Sequence, residues 1–171
     1  MNDSWFLVLR AGHVLLAALW LGAAFMLTMY VLPAVREAGP AGGHFMQTLQ
    51  RRKLHAFMAL AAILTVVTGI WLYWRFTSGL EADVMLSPGG LAFGIGGLCG
   101  LLAMILGGAI LGRGFARIVA LVERAAAGPE TERAAHLQAI EVLRQRLAVS
   151  GKLILLLMVL ALVLMAIGHY I

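Results

Sequence analysis

Four long apolar segments, separated by three polar stretches, dominate the pattern of side chains along the chain. Each is about as long as the roughly 20 residues that a helix needs to cross about 30 Å of hydrocarbon. They cover residues 5–31, 54–76, 90–110 and 153–171. Because an α-helix satisfies its own backbone hydrogen bonds in lipid, and because the runs are too continuous for barrel strands, each is predicted to be a transmembrane helix. The expected fold is an all-α integral membrane four-helix bundle with up-down connections.

The third polar stretch, about residues 113–150, is long enough to have secondary structure of its own. Gly128 and Pro129 interrupt it, and acidic residues follow, as they do in the first turn of a helix. Beyond this break, apolar side chains recur at helical spacing on one face. They are Ala134, Leu137, Ile140, Leu143 and Leu147. We expect the third and fourth spans to extend as a helical hairpin closed near Gly128; an amphipathic helix on the membrane surface is the alternative.

Composition supports a membrane protein and changes the meaning of the basic charge. The 171 residues are 62% hydrophobic and only 12% charged, which is too little polar surface to cover a soluble core of this size. No stretch has the composition of a linker, so we expect one domain over residues 1–171. A net charge of +5 would suggest nucleic acid as a partner of a soluble protein, but here the basic residues lie in loops between apolar segments. The expected partner is therefore the lipid bilayer with its anionic headgroups, and no nucleic acid.

The distribution of Lys and Arg among the loops predicts the orientation. The first loop holds four and the third loop seven of the 13 basic residues, whereas the second loop holds only Arg75. By the positive-inside rule, the first and third loops face the cytoplasm and both termini lie outside it. Trp5, Trp74 and Tyr170 fall at the predicted outer ends, where interfacial aromatic residues are common. The predicted location is a bacterial-type inner (plasma) membrane, crossed four times.

The third span is rich in glycine at spacings that allow helices to approach closely. Pairs four residues apart are Gly90 and Gly94, Gly96 and Gly100, and Gly108 and Gly112. Three interpretations stay open: tight packing within the bundle, a homodimer face, or space for a flat cofactor.

Two ionisable residues lie inside the first span, where such groups are costly and are therefore functional candidates. Arg10 and His13 are three residues apart and share one helix face. His13 lies roughly 12 Å along the helix from its outer edge. Trp20 follows on the same face, and the small side chain of Ala17 leaves room for a ring between them. These residues predict a cofactor site in the outer half of the bundle.

His169, near the end of the fourth span, is the predicted partner of His13. In an up-down bundle with short loops the first and fourth helices are neighbours, and their outer halves carry these two imidazoles. Two histidines from facing helices are a common way to hold a haem iron in a membrane bundle. Arg10, one turn farther out, could pair with a haem propionate, because a guanidinium suits a carboxylate. His169 is shallower than His13, so sharing one iron requires a tilt or an offset between the helices.

His55 opens the second span at the predicted cytoplasmic end. With Arg51, Arg52 and Lys53 as propionate partners, it could bind a second cofactor. The alternative for both His55 and His169 is an ordinary polar residue at the membrane interface. Several methionines are core residues by default but are also soft ligands, so copper in place of haem b is a second prediction. They are Met26, Met29, Met58, Met104, Met158 and Met165.

Short motifs in the first two spans resemble those of a known family. The residues are Arg10-Ala-Gly-His13, Trp20-Leu-Gly22, Tyr30, Pro33, Arg51-Arg-Lys-Leu-His-Ala-Phe57 and Leu64-Thr-Val-Val-Thr-Gly69. Over roughly the first 75 residues the chain resembles the HemJ-type and CopD-type membrane proteins, and beyond that it is similar to them in hydropathy only.

The resemblance to the HemJ-type proteins implies a four-helix haem-b protein linked to protoporphyrinogen oxidation, with a first-span histidine, here His13, as ligand. The His-x-Lys motif that those proteins carry at the third span is replaced here by Gly90-Leu-Ala-Phe-Gly94. The resemblance to the CopD-type proteins implies copper handling in the inner membrane through His13 and the methionines.

The leading prediction is a membrane-embedded b-type haem protein in electron transfer or oxidation near the outer face, with a redox protein or a quinone as partner. As an enzyme it would be a haem-dependent oxidoreductase. The first alternative is a copper transport or resistance protein. The second is a non-catalytic membrane subunit that contacts partners through the glycine-rich span. No phosphate-binding loop, paired carboxylates within a span or activated nucleophile favours hydrolytic or phosphate chemistry.

Overall fold

The computed structural model describes residues 3–171, and the protein is about 90% helical. No strand occurs within that range, so the all-α prediction is confirmed. The helices are α1 (Asp3–Met26), α2 (Leu32–Glu37), α3 (Pro40–Arg51), α4 (Leu54–Phe76), α5 (Ala82–Met85), α6 (Pro88–Leu106), α7 (Arg113–Ala127) and α8 (Glu130–Ile167). Four helical stretches in this part of the chain are long and apolar enough to cross a membrane. The chain is therefore a multi-pass membrane protein.

The first and third of these stretches contain short π-helical segments and continue as helix beyond the apolar runs of residues 5–31 and 90–110. Leu27–Val31 joins α1 to α2, and Gly107–Gly112 joins α6 to α7, in both cases without a break. A π-helical turn adds a residue to the helical repeat and is frequent at functional sites. The first stretch consequently runs over 34 residues, Ser4–Glu37, and the third over 40 residues, Pro88–Ala127.

The helices α7 and α8 pack side by side as a hairpin that continues beyond the spanning segments. The 38 residues of α8 extend over roughly 57 Å, nearly twice the hydrocarbon thickness, so part of the helix must project from the bilayer. On the predicted apolar face, Ile140 and Leu147 are buried, and Leu147 packs over Gly114 of α7. The chain turns between the two helices at Gly128 and Pro129. The expected hairpin is present, rather than a single helix lying on the surface.

The up-down order gives the bundle two different ends. We call the end formed by α2, α3 and the α7–α8 hairpin the basic end, where an ion pair between Arg36 and Glu141 joins α2 to α8. The second-loop end is formed by residues 77–87, the start of α1 and residues 168–171 after α8. Here the Ser87 hydroxyl caps α6 by accepting from the Gly90 N–H at 3.1 Å.

The buried core lies toward the basic half of the bundle and consists of small side chains around one indole. Its members are Trp20, Ala24, Ala61, Ala62, Ala103, Ile154 and Met158. The first and fourth spanning helices meet in this half, where Thr28 lies against Gly151; a Cβ on that glycine would be 3.3 Å from Thr28 Cγ2. The expectation that these two helices are neighbours is therefore met at this depth.

The glycines of the third spanning helix, Pro88–Ala127, have two different environments. A Cβ at Gly94 would lie 3.0 Å from Tyr73 Oη of α4, and one at Gly96 would lie 3.3 Å from the Ala161 carbonyl oxygen of α8. These glycines permit close packing inside the bundle. By contrast, nothing lies within 4 Å of a Cβ placed at Gly100, Gly107 or Gly108. Only this second group is available for the predicted homodimer face.

Candidate functional site

The imidazole of His13 packs on the second span and is held there by two hydrogen bonds. Its Nδ1 lies 3.0 Å from the Thr65 carbonyl oxygen and 3.0 Å from Thr68 Oγ1. A carbonyl oxygen can only accept, so in the neutral ring Nδ1 carries the hydrogen and donates it. The Thr68 hydroxyl donates to the Leu64 carbonyl oxygen at 2.6 Å, which leaves its oxygen free to accept from His13. The remaining ring nitrogen, Nε2, therefore keeps its lone pair.

Three residues of α4, Thr65, Thr68 and Gly69, form the shallow site in which the imidazole lies, and we call this site the His13 notch. Thr65, Thr68 and Gly69 are spaced i, i+3 and i+4 and so lie on one helix face. Because Gly69 has no side chain, the imidazole can lie directly on the backbone: a Cβ there would be 3.0 Å from His13 Cε1. Any larger residue would push the ring away from its hydrogen-bond acceptors.

The Nε2 atom of His13 is the unused group of the site. Within residues 3–171 it has no hydrogen-bond partner, and the ring is half-buried. A histidine whose Nδ1–H is anchored to a carbonyl or hydroxyl has its tautomer and ring plane fixed, which is the usual arrangement of a metal-binding imidazole. The arrangement can therefore donate one nitrogen lone pair to a metal from within the membrane.

The other two predicted residues of the first span have different surroundings. Arg10 is exposed, one turn from His13 toward the second-loop end, and forms no ion pair in the described part of the chain. Trp20 is 8% exposed and belongs to the core, two turns from His13 in the opposite direction. Ala17, between His13 and Trp20, is half-buried. Arg10 is thus available to a ligand, whereas Trp20 has a packing role of its own.

His169 does not share the surroundings of His13. The helix α8 ends at Ile167, not at residue 171, so His169 lies in a turn beyond the helix rather than in its last turn. Its exposed ring is edge-to-face with Tyr170, with the centroids 6.0 Å apart, and the preceding Gly168 lies against Gly89 of α6. At the depth of His13 the first span packs on α4, because the missing side chain of Gly69 leaves space there for the imidazole. Pairing of the two histidines on one iron stays a prediction.

His55 lines a small cavity at the basic end. The cavity has a volume of about 40 Å³, enough for an ion or a few waters but far below the roughly 300 Å³ of the smallest drug-sized ligand sites. It is lined by Leu27, Met46, Leu49, Gln50, Leu54, His55, Met58 and Phe115. The His55 ring also lies over Gly112, where a Cβ would be 3.6 Å from Cε1. This space does not enclose a porphyrin.

One π-helical segment and one left-handed residue border this cavity, and the second π-helical segment ends beside the His55 ring. Leu27 is the first residue of one π-helical segment and Gly112 is the last of the other. Lys53 has φ of 58°, a left-handed conformation that turns the chain between α3 and α4. That turn brings Met46 of α3 to the cavity that Met58 of α4 also lines. The result is an imidazole and two thioethers around one small space.

Sequence reasoning missed the roles of Thr65, Thr68 and Gly69. A depth comparison contains part of the signal, because it shows which residues of α4 are level with His13 but not which helix faces meet. Thr68 lies eight residues before the end of α4 at Phe76, which is about 12 Å at 1.5 Å per residue. That equals the depth estimated for His13 in the antiparallel first span, so the two side chains are level in the bilayer.

Comparison of the chain with protein-family models, with curated proteins and with solved structures found no match. The resemblance to the HemJ-type and CopD-type proteins stays a prediction from the motifs of the first two spans.

Proposed function

We propose that this chain is a membrane-embedded b-type haem protein in which Nε2 of His13 is an axial ligand. The observation that carries the proposal is the hydrogen bonding of the ring, in which Nδ1–H is donated to Thr65 and Thr68 and Nε2 stays free. A haem needs only one or two protein ligands, whereas a bare structural metal ion needs about four. No group of three or more His, Cys, Asp and Glu side chains suited to a metal occurs among the side chains of residues 4–39 and 41–171. A single anchored imidazole therefore suits haem better than a bare ion.

Each residue of the proposed site has a defined task. The Thr65 carbonyl and the Thr68 hydroxyl keep the proton on Nδ1 and fix the ring plane, which makes Nε2 a better donor. Arg10 supplies an exposed guanidinium for a propionate, and Trp20 limits the space on the core side. When bound, haem supplies one-electron redox chemistry, here electron transfer or oxidation with a quinone or a redox protein as partner. His169 is the proposed second ligand.

The wild-type protein tests the proposal directly. Purified in mild detergent, it should show a Soret band and about one iron per chain by metal analysis. Absence of haem, even after reconstitution with added haem, would sink the proposal. If His169→Ala leaves the haem spectrum unchanged, the second ligand is not His169.

The proposed orientation places the basic end in the cytoplasm of a bacterial-type inner membrane. Its support is the concentration of Lys and Arg in the first and third loops. Cys99 is buried, so a cysteine introduced elsewhere can be labelled selectively. On intact cells, a membrane-impermeant maleimide should label Ser78→Cys in the second loop and not Ala38→Cys in the first. The reverse pattern would invert the topology.

Thr68→Val is expected to weaken haem binding without abolishing it, by about 10-fold to 100-fold as for other residues that orient a metal ligand. The change removes one acceptor of the His13 Nδ1–H, while the Thr65 carbonyl still accepts. Haem titration of the apoprotein measures the loss. The matched control is Thr48→Val in α3, where the hydroxyl donates only to the His44 carbonyl oxygen. Equal affinities of the two variants would remove Thr68 from the site.

A second candidate function, copper transport or resistance, is favoured by the cavity at the basic end. An imidazole and two thioethers, from His55, Met46 and Met58, are the neutral soft donors that Cu(I) prefers. Competition with a chromophoric Cu(I) chelator should show one bound ion per chain that the double variant Met46→Leu/Met58→Leu loses. Met26→Leu/Met29→Leu, at two exposed positions, is the control. No copper in the wild-type protein would remove this candidate.

A further inference from the structure

A cleft at the second-loop end lies outside the His13 site. It has a volume of about 490 Å³, within the range of roughly 300–1,000 Å³ that is usual for small-ligand sites. It is lined by Trp71, Trp74, Arg75, Ser78 and Gly79. Trp71, Trp74 and Arg75 are spaced i, i+3 and i+4 on one side of the end of α4, and Ser78 and Gly79 follow in the turn after the helix. Trp71 and Arg75 are three and seven residues beyond Thr68 on the same side of α4, so the cleft is separated from the His13 notch along the helix axis, by about 4.5–10.5 Å at 1.5 Å per residue.

The turn that forms one wall of the cleft is held in an unusual conformation. Ser78, Gly79 and Leu80 have successive φ values of 52°, 90° and 73°. Ser78 and Leu80 have a Cβ, so this left-handed backbone is unfavourable for both. Thr77, fully buried, stabilises the turn: its hydroxyl donates to the Tyr73 carbonyl oxygen and accepts from the Leu80 N–H. The wall is therefore a fixed feature of the fold.

The cleft contains hydrogen-bond donors that the protein itself does not use. Among the side chains that the structure describes, those of residues 4–39 and 41–171, the guanidinium of Arg75, the indole N–H groups of Trp71 and Trp74, and the Ser78 hydroxyl make no hydrogen bond or ion pair. The backbone N–H groups of Ser78 and Gly79 are already paired with carbonyl oxygens of α4. No carboxylate lines the cleft. A positively charged group with spare donors and no acidic partner fits an oxyanion.

An apolar stripe on α4 leads from the membrane interior to this cleft. Ile63, Val67, Ile70 and Trp74 are spaced i, i+4, i+7 and i+11, and all are at least half exposed. Trp74 at the end of a spanning helix is at the depth of the headgroups, where such residues are enriched. A ligand with an oxyanion at the cleft and an alkyl chain along the stripe matches both features.

We propose that the cleft binds the phosphate headgroup of an anionic phospholipid, with an acyl chain along Ile63, Val67 and Ile70. Arg75 supplies the charge, Ser78 and the indole N–H groups add donors, and the fixed turn limits the depth of the headgroup. The proposal does not depend on haem, because no residue that lines the cleft binds His13, and the cleft lies one to two turns beyond Thr68 toward the second-loop end.

Quenching of tryptophan fluorescence by brominated lipids tests the proposal in reconstituted bilayers. A Trp5→Phe background removes the exposed indole of α1, and Trp20 stays buried in the core. At equal bromine content, brominated phosphatidylglycerol should associate about fivefold more strongly with the cleft than brominated phosphatidylcholine, as expected for one basic residue at the interface. Arg75→Gln should remove the preference, and Arg75→Lys should retain most of it. Arg133→Gln, an equal charge loss on the hairpin, is the control.

Two outcomes would overturn the proposal. Equal quenching by the two lipids would make these residues ordinary interfacial anchors. Loss of the preference in millimolar inorganic phosphate, with no loss in equimolar chloride, would assign the cleft to free phosphate instead of a lipid. Circular dichroism of Arg75→Gln should match that of the wild type, because the side chain is exposed.

Discussion

Substitution of His13 by alanine is expected to remove the Soret band of the purified protein, leaving about a tenth of the wild-type haem or less. The imidazole supplies the only nitrogen lone pair in the notch, and loss of the ligand itself should exceed the roughly 10-fold to 100-fold effect of losing a residue that orients it. The helical circular dichroism should stay unchanged, because the ring is only half-buried and α1 also packs through Trp20. The measurement is the absorbance ratio of haem to protein after one detergent extraction.

Two further variants separate the role of His13 from a general effect of losing a histidine. His44→Ala, at an exposed position in α3, should keep the full haem content. Gly69→Ala should mimic His13→Ala in part, because the new Cβ would lie 3.0 Å from Cε1 and displace the ring from Thr65. Full haem content in all three variants would exclude His13 as a ligand.

Gly89→Ala is expected to destabilise the bundle by about 1–3 kcal/mol, the usual effect of overpacking. At this glycine the start of α6 touches the end of α8: an added Cβ would be 2.7 Å from the Gly168 carbonyl oxygen and 3.4 Å from that of Ile171. Backbone atoms cannot rotate away as a side chain can, so the two helix ends must separate. Unfolding in detergent, followed by circular dichroism, measures the change.

The matched control is Gly100→Ala on the same helix, where nothing lies within 4 Å of the new Cβ. There the substitution should be neutral or stabilising by up to about 1 kcal/mol, because alanine has the higher helix propensity. We expect Gly89→Ala to lower the free energy of unfolding and Gly100→Ala to leave it unchanged or raise it. A similar loss of stability in both would mean that Gly100 is also an internal packing position, and would remove it from any homodimer face.

The four spanning helices and the hairpin could be predicted from the sequence, because they depend on local properties, whereas α2, α3 and α5 were not predicted. The second span illustrates this best: the apolar run of residues 54–76 coincides with α4, Leu54–Phe76. The apolar runs of the first and third spans, residues 5–31 and 90–110, each cover part of a longer helix, and the helical extension expected beyond the third span is present as α7. Hydropathy marks where a helix leaves the hydrocarbon, not where its backbone hydrogen bonds end.

The candidate site shows where a single sequence stops being informative. His13 could be identified, because an ionisable group within an apolar span is rare and costly. Its neighbours could not, since helix order alone favours His169 on the adjacent fourth span as much as Thr68 on the second. The choice depends on Gly69, because its missing side chain lets the imidazole approach α4. This contact is visible only when the helices are packed.

The sequence by itself determined that this chain is an all-α membrane protein with four spans and a helical hairpin at its basic end. These properties follow from the solvent: apolar runs must cross lipid as helices, and charged segments must leave it. Only the tertiary structure decided which faces meet, placing His13 on Thr65 and Thr68 and leaving His169 beyond α8. Lipid is as apolar as the helix surfaces, so lateral packing depends on close contacts of small residues, which no hydrophobic periodicity encodes.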